Sequence, residues 1–416
     1  MIEAVARKKP NKLLAGIAWG ASAAITAHHG LRIQKAGLNG TKPPYLILSN
    51  HQSFTDYYVA YRVVGRPYAS FVADIESFIG LEQPCRWLGV IGTRKFTNDI
   101  SLVRNILHAV RVNKTSVVLY PEARYCNMGT TCALPPSVGK LAKQLGVPVV
   151  MLKMRGTHLM APFWNTRKRK VPLEAEYSLL LNEEQVQALS ADEMNRQITD
   201  SFAYDEYRWQ QENRIRIDEP WRAEGLHRAL YWCPACGSEY QMDSDGAHLF
   251  CTECGKRWVL TEYGSLLALS GDTEFSHPPD WYEHQRELVR SEIEAGTYAV
   301  QTPVRVESLP GGGGFIDLGM GELTHSMDGF TLHFSENGKL RIVHIPPSSM
   351  YSLHNEYDFK GKGMGLSLST LDESWYLYTK SPECNTTKMM FATEELYRYI
   401  KEKNEFDTID EIDSSS

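Results

Sequence analysis

The 416-residue chain has no long strongly apolar run: its best stretch, residues 13–27, is Ala-rich and falls short of the roughly 20 apolar residues that span a bilayer. Nor has it an excess of positive charge. Lys and Arg number 44 against 50 Asp and Glu, a net −6, which argues against a nucleic-acid binder, whose footprint is a basic stripe. Cysteine is scarce, with eight residues, and no convincing small-x-small cleavage site follows residues 13–27. A secreted disulfide framework is therefore not expected. Half of those cysteines nevertheless fall in two close pairs, and 43% hydrophobic residues leave room for two or three packed domains.

A short apolar strand, Tyr45-Leu46-Ile47-Leu48, follows Pro43-Pro44 and runs into Asn50-His51-Gln52-Ser53-Phe54-Thr55-Asp56, after which residues 53–64 carry helical spacing. Five residues do not place two side chains on one helix face, so His51 and Asp56 pair only across a bend. In that arrangement the carboxylate fixes one imidazole nitrogen and the other takes a proton. The alternative is a capping-box-like start, with Ser53 as N-cap and Asp56 complementing the helix N-terminus. Two further apolar runs, residues 115–120 before Pro121 and residues 147–152 after Gly146, alternate with helical patterns over 99–112 and 137–145. Strands alternating with helices predict a largely parallel sheet, with His51, Asp56, Arg94, Glu122 and Arg124 collected at one mouth.

The motif order resembles the glycerolipid (1-acylglycerol-3-phosphate, or lysophospholipid) acyltransferase family. Asn50-His51-x4-Asp56 is similar to its first block, Gly92-Thr93-Arg94 to its second, Tyr120-Pro121-Glu122-Ala123-Arg124 to its third and Val147-Pro148-Val149-Val150 to its fourth. The resemblance implies His51 as base and Asp56 as its support in transfer of an acyl group from acyl-CoA or acyl-acyl carrier protein to a lysophospholipid hydroxyl. It implies Arg94 and Arg124 as phosphate ligands, suited to bidentate contact. Glu122 then bonds a glycerol hydroxyl or positions an arginine; each arginine has the alternative of a surface charge or structural ion pair. The third block departs from Phe-Pro-Glu-Gly-Thr-Arg-Ser: Ala123 stands at the glycine, which removes an easy left-handed backbone, and Arg124 lies one residue nearer the glutamate. That departure raises a catalytically inactive lipid-binding scaffold as the alternative function.

Cys233-Pro234-Ala235-Cys236 and Cys251-Thr252-Glu253-Cys254, fourteen residues apart, match a tetrahedral four-thiolate zinc ribbon, with Tyr240, Phe250 and Trp258 in its small strands. A disulfide pair or redox Cys-x-x-Cys is the alternative. The acidic residues Glu239, Asp243, Asp245 and Glu253 oppose nucleic acid as its partner. Cys85, Cys126, Cys132 and Cys384 read as ordinary thiols.

The expected organisation is an α/β acyltransferase-like domain, then the zinc ribbon, then a β-rich pleckstrin-homology- or GRAM-like barrel with a C-terminal helix. The boundaries are an interfacial helical segment at 1–38, the acyltransferase domain at 39–215 with an edge-strand-like stretch at 171–181, a linker helix and ribbon at 216–262, a helical connector at 263–297, the β domain at 298–404 with its helix at 393–403, and an acidic tail, left disordered, at 405–416. Turn clusters at 310–314, 335–338 and 360–363 punctuate the β domain; its alternatives are headgroup binding or a scaffold. Arg7, Lys8, Lys9 and Lys12 beside residues 13–27 suggest docking on an anionic membrane surface, and hence a cytoplasmic, peripherally membrane-associated protein. Phe163-Trp164 beside Arg167-Lys168-Arg169-Lys170 is a second contact or a solvated loop.

Overall fold

A computed structural model describes residues 8–165, 167–311 and 313–413. Arg7, Gly312 and the serines at 414–416 lie outside the described residues. The chain divides into two compact units, one formed by residues 1–219, 262–264 and 311–314, the other by 220–261, 265–310 and 315–416.

The first unit runs α1 (Lys12–His28), β1 (Arg32–Ala36), β2 (Leu46–Ser49), α2 (Thr55–Val64), β3 (Ser70–Asp74), α3 (Glu82–Trp87), β4 (Ile91–Thr93), α4 (Ile100–Arg111), β5 (Val117–Leu119), α5 (Val138–Leu145), β6 (Val149–Arg155), α6 (Thr157–Met160), β7 (Glu174–Leu181), α7 (Glu183–Ala188), α8 (Ala191–Ser201) and α9 (Glu206–Glu212). The strands form one sheet in the order β1-β7-β6-β2-β5-β3-β4. β6, β2, β5, β3 and β4 are mutually parallel, whereas β7 runs antiparallel to β6 and β1 pairs parallel to β7. The stretch expected at the edge is thus internal, and β1 covers it.

Every residue of β2 is buried, as befits a parallel strand covered on both faces. Ile47, Val118 and Val150 pack on one side with Val59 and Ala60 of α2 and Ala15 of α1. Leu46, Leu48, Val117 and Met151 pack on the other with Ile106, Val110, Ala142, Met194 and Ile198. Helix α1 is therefore partly a packing helix, with Trp19 Nε1 donating to the Arg62 carbonyl at 3.3 Å. Its opposite face leaves Leu13 and Ile17 exposed. No helix among the described residues is long and apolar enough to cross a membrane.

The second unit holds β8 (Met242–Asp245), β9 (His248–Cys251), β10 (Arg257–Leu260), β11 (Leu266–Ala268), α10 (Pro278–Glu294), β12 (Ala299–Leu309), β13 (Ile316–Ser326), β14 (Gly329–Glu336), β15 (Lys339–Ile345), β16 (His354–Glu356), β17 (Met364–Ser369), β18 (Ser374–Thr379) and α11 (Thr386–Asp413). β8 to β11 make a four-stranded antiparallel sheet. The remaining strands make an antiparallel sheet ordered β15-β14-β13-β12-β18-β17-β16. No ladder joins β15 to β16 among the described residues, so backbone pairing does not close this sheet into a barrel. Ahead of the ribbon, where a short helix is expected, stands a single 3-10 turn, Leu226–Arg228.

Candidate active site

The site grows from the carboxyl end of β2, where an open α/β sheet presents its loops. Ser49 Oγ donates to the Leu152 carbonyl at 2.8 Å, and Asn50 clamps Met154 twice, its amide donating to the carbonyl and its oxygen accepting the N–H, both at 2.8 Å. Side chains thus continue the β2–β6 ladder as the backbone turns away. Asp56, in the first turn of α2, folds back across the bend. Its Oδ2 meets His51 Nδ1 at 3.0 Å and accepts the Gln52 and Ser53 N–H groups at 2.5 and 2.9 Å. The residue before α2 is Phe54, in helical conformation and without a side-chain cap, while Ser53 Oγ accepts the Thr55 N–H at 3.3 Å, so Asp56 serves the helix start and His51 together.

Asp56 is wholly buried while the His51 side chain keeps 22% of its surface exposed. With Nδ1–H donated to the carboxylate, Nε2 is the proton acceptor. The imidazole lies between two aromatic rings, stacked on Tyr120 with centroids 4.3 Å apart and tilted against Tyr125 at 4.5 Å. Phe163 extends the row at 5.4 Å from Tyr125. The segment expected as a membrane contact therefore turns inward in part. Trp164 is buried and Arg169, also buried, lies over its ring, whereas Arg167, Lys168 and Lys170 are exposed.

Glu122, just past β5, is fully buried and its bonds run to the backbone of the site itself: Oε2 accepts His51 N–H at 2.5 Å and Oε1 accepts Cys132 N–H at 3.1 Å. Tyr204 adds its hydroxyl to Oε1 at 3.4 Å. Burial pushes the Glu122 carboxyl up to about 8, against the pull of those N–H bonds and of Arg124. Glu122 thus holds the His51 turn, and the Arg124 charge acts on the same carboxyl. Arg124 and Arg94 are both buried, which removes the surface-charge alternative, and Arg94 follows β4 on the same carboxyl edge of the sheet. Ala123 holds φ +55°, a left-handed conformation that glycine would adopt more easily. Cys126 N–H donates to the His51 carbonyl at 2.8 Å, and its thiol donates to the Thr130 carbonyl at 2.8 Å. Cys126 and Cys132 are both free and buried.

Sequence reasoning missed Tyr120 and Tyr125 as the walls of the imidazole, and it missed Gln52, Tyr204 and Glu206. The tyrosines sit inside the third block and could have been found there. Gln52 and Glu206 carry no local signal.

The four ribbon cysteines converge in the second unit, with all four sulfurs within 4.8 Å of one another. Cys233 lies 3.8 Å from Cys254, and Cys236 3.8 Å from Cys251. Each contact joins one knuckle to the other, which fits a structural tetrahedral zinc site better than two local disulfides. The ribbon is seated firmly: Trp258 packs against Trp281 of α10 at 5.0 Å, and buried Lys388 of α11 bonds both Glu239 and Glu292.

Residues 26–155 match the family described as Acyltransferase. Among solved structures, the crystal structure of the 1-acyl-sn-glycerophosphate (LPA) acyltransferase from Thermotoga maritima is similar at 16% identity with a TM-score of 0.37, covering 45% of this chain and 76% of that one. A comparison with curated proteins gives no match. The matched residues lie within the first unit and include His51, Asp56, Arg94, Glu122 and Arg124.

Proposed function

We propose that the first unit transfers a fatty acyl group from acyl-CoA or acyl-acyl carrier protein to the hydroxyl of a lysophospholipid, 1-acylglycerol-3-phosphate foremost, giving phosphatidic acid. The observation that carries this reading is Asp56: one buried carboxylate oxygen gathers His51 Nδ1 and two backbone amides, which leaves Nε2 as the other nitrogen of a ring whose side chain is 22% exposed.

Nε2 takes the acceptor's hydroxyl proton as the oxygen attacks the thioester carbon, and Asp56 stabilises the imidazolium that forms. Collapse of the tetrahedral intermediate breaks the carbon–sulfur bond, and the imidazolium returns its proton to the departing thiolate. Glu122 holds the His51 turn in register through the 2.5 Å bond to its N–H. Arg94 and Arg124 take the acceptor's phosphate. Cys233, Cys236, Cys251 and Cys254 hold a zinc ion whose role is structural. The membrane is met through α1 and α3, where Leu13, Ile17, Leu81 and Trp87 are exposed and where Asn11 N–H bonds the Trp87 carbonyl at 2.7 Å. Exposed Lys8, Lys9 and Lys12 beside them suit anionic headgroups.

The test incubates the purified protein and His51→Ala with lysophosphatidic acid and a panel of other lysolipids, using both donors, and follows products by mass spectrometry. A diacyl product whose rate falls by roughly 10²- to 10⁴-fold in His51→Ala supports the reading. Equal rates in both proteins, or no product from any pairing, overturn it in favour of a lipid-binding scaffold.

A further inference from the structure

The residues matched by the acyltransferase family stop at 155, yet the site draws on a later segment of the first unit. Residues 202–206 lie against the loop that follows the third block. Thr130 and Asp205 form an antiparallel bridge, Glu206 N–H donates to the Gly129 carbonyl at 2.9 Å, and Thr131 Oγ1 donates to the Phe202 carbonyl at 2.8 Å. Gly129 permits this approach: a Cβ there would stand 2.7 Å from the His158 ring and 3.0 Å from Glu206 Cβ. The register delivers the Glu206 side chain, fully buried, to the end of β6.

There its Oε2 accepts the Gly156 N–H at 2.6 Å. Gly156 opens the turn into α6, and the next two residues both terminate on one side chain: Thr157 Oγ1 and His158 N–H donate to Gln52 Oε1 at 2.7 and 3.2 Å. The Gln52 backbone N–H is in turn one of the donors to Asp56 Oδ2. A continuous path of bonds therefore runs from α9 through the β6–α6 turn and Gln52 to the carboxylate that orients His51. We propose that Glu206 is a positioning residue for the His51–Asp56 pair, acting through the Gly156–His158 turn and Gln52. This inference rests on the reading of the first unit as an acyltransferase.

The surroundings of Glu206 say in which form it acts. Burial chiefly, with the Asp56 charge, pushes its carboxyl up to about 8, while the Gly156 amide, Gln52 and Arg155 of β6 pull the other way. His158 of α6, driven down to about 3 by burial and by Arg169, brings no positive charge to offset a glutamate anion. Burial thus favours the protonated form of Glu206, which glutamine reproduces in shape and charge.

The experiment compares full-length wild type, Glu206→Gln, Glu206→Ala, Gln52→Ala and the Gln52→Ala/Glu206→Ala double variant in kcat, KM and thermal unfolding. In the same proteins the NMR resonance of the His51 Nδ1 proton, assigned by its loss in His51→Ala, reports the hydrogen bond to Asp56 without any turnover. Glu206→Ala should lower kcat by roughly 10²-fold with KM nearly unchanged, as expected for a misplaced catalytic group, and should shift or erase the Nδ1 resonance. Glu206→Gln should retain both, and the double variant should be no worse than the poorer single. An Nδ1 resonance that Glu206→Ala leaves in place overturns the inference, even in a protein that transfers no acyl group. So does a Glu206→Gln variant as impaired as Glu206→Ala, or additive losses in the double variant.

Discussion

At the scale of the residue, the turn after β5 asks of Ala123 a backbone conformation that glycine would meet most easily. Ala123 adopts φ +55° although it is not glycine, and its N–H bonds the Tyr120 carbonyl at 3.1 Å to close the turn. A left-handed L-residue is strained by about 1 kcal/mol, so Ala123→Gly should raise the unfolding free energy by roughly that amount less glycine's added chain entropy. A denaturant midpoint that falls would contradict this. The buried carboxyls make a second prediction. Glu206 binds a proton in the folded state up to about pH 8 but releases it near 4.5 in the unfolded chain, so the stability it contributes is complete below 4.5 and is lost as pH rises through 8. Buried His158, lowered from 6.5 to about 3, acts in the opposite sense and only as pH falls below 6.5. Between pH 6.5 and 8 the stability of wild type relative to Glu206→Gln should therefore fall, by up to about 1.4 kcal/mol per pH unit, in urea titrations; a constant or growing difference would show that the folded carboxyl is already ionised.

Among the elements, the ribbon is a small four-stranded sheet whose knuckles depend on a metal. Four sulfurs within 4.8 Å of one another, two of them exposed, are explained by a shared ion, which supplies stability to so small a sheet. Purified protein should carry one zinc per chain, and a strong chelator or Cys254→Ser should lower its thermal midpoint; metal-free protein of unchanged stability would exclude the assignment. Elsewhere, legibility followed local chemistry. β2 and β5 lay in apolar runs that end at the first and third blocks, β6 began in the fourth, and α4 and α5 fell within a residue of their expected spans. β1 was missed because Arg32-Ile33-Gln34-Lys35-Ala36 is largely exposed and is a strand only through its ladder with β7. After β7 the chain forms three helices: the capping boxes Asn182-x-x-Gln185 and Ser190-x-x-Glu193 start the first two, and Asp205 caps the third. Helix α11 begins at Thr386 and continues to Asp413, through residues left as a disordered tail: Thr387, Met389, Met390 and Phe391 are buried as its first turns, and Arg398 pairs with Glu395 and Glu402 along its surface. Glu206 and Gln52 were illegible for a different reason, since their partners Gly156 and Thr157 lie 50 and 105 residues away along the chain.

For the whole molecule, charge and exposed apolar surface pull in different directions. A net −6 repels an anionic bilayer, yet Lys8, Lys9 and Lys12 gather at the start of α1, whose exposed face carries Leu13 and Ile17 at 74% and 61% exposure. Trp87 of α3 is tied to the same place through the Asn11–Trp87 bond, and Phe54, 67% exposed, stands three residues from His51. A long-chain lysolipid is delivered from a bilayer, so a docking face that holds the His51 mouth near the headgroups shortens its transfer. Burial of each such side chain contributes about 1.5–3 kcal/mol, so losing Leu13 and Ile17 together should outweigh any single lysine. The full chain should therefore co-sediment with phosphatidylglycerol vesicles more than with phosphatidylcholine vesicles, and less as salt rises. Leu13→Ser/Ile17→Ser should weaken binding to both vesicle types by at least about tenfold, whereas Lys8→Gln/Lys9→Gln/Lys12→Gln should remove the preference for anionic lipid and most of the salt dependence. If the apolar double variant sediments like wild type, the N-terminal face is not where the molecule meets the membrane, and the exposed residues of α1 are only the outer side of a packing helix.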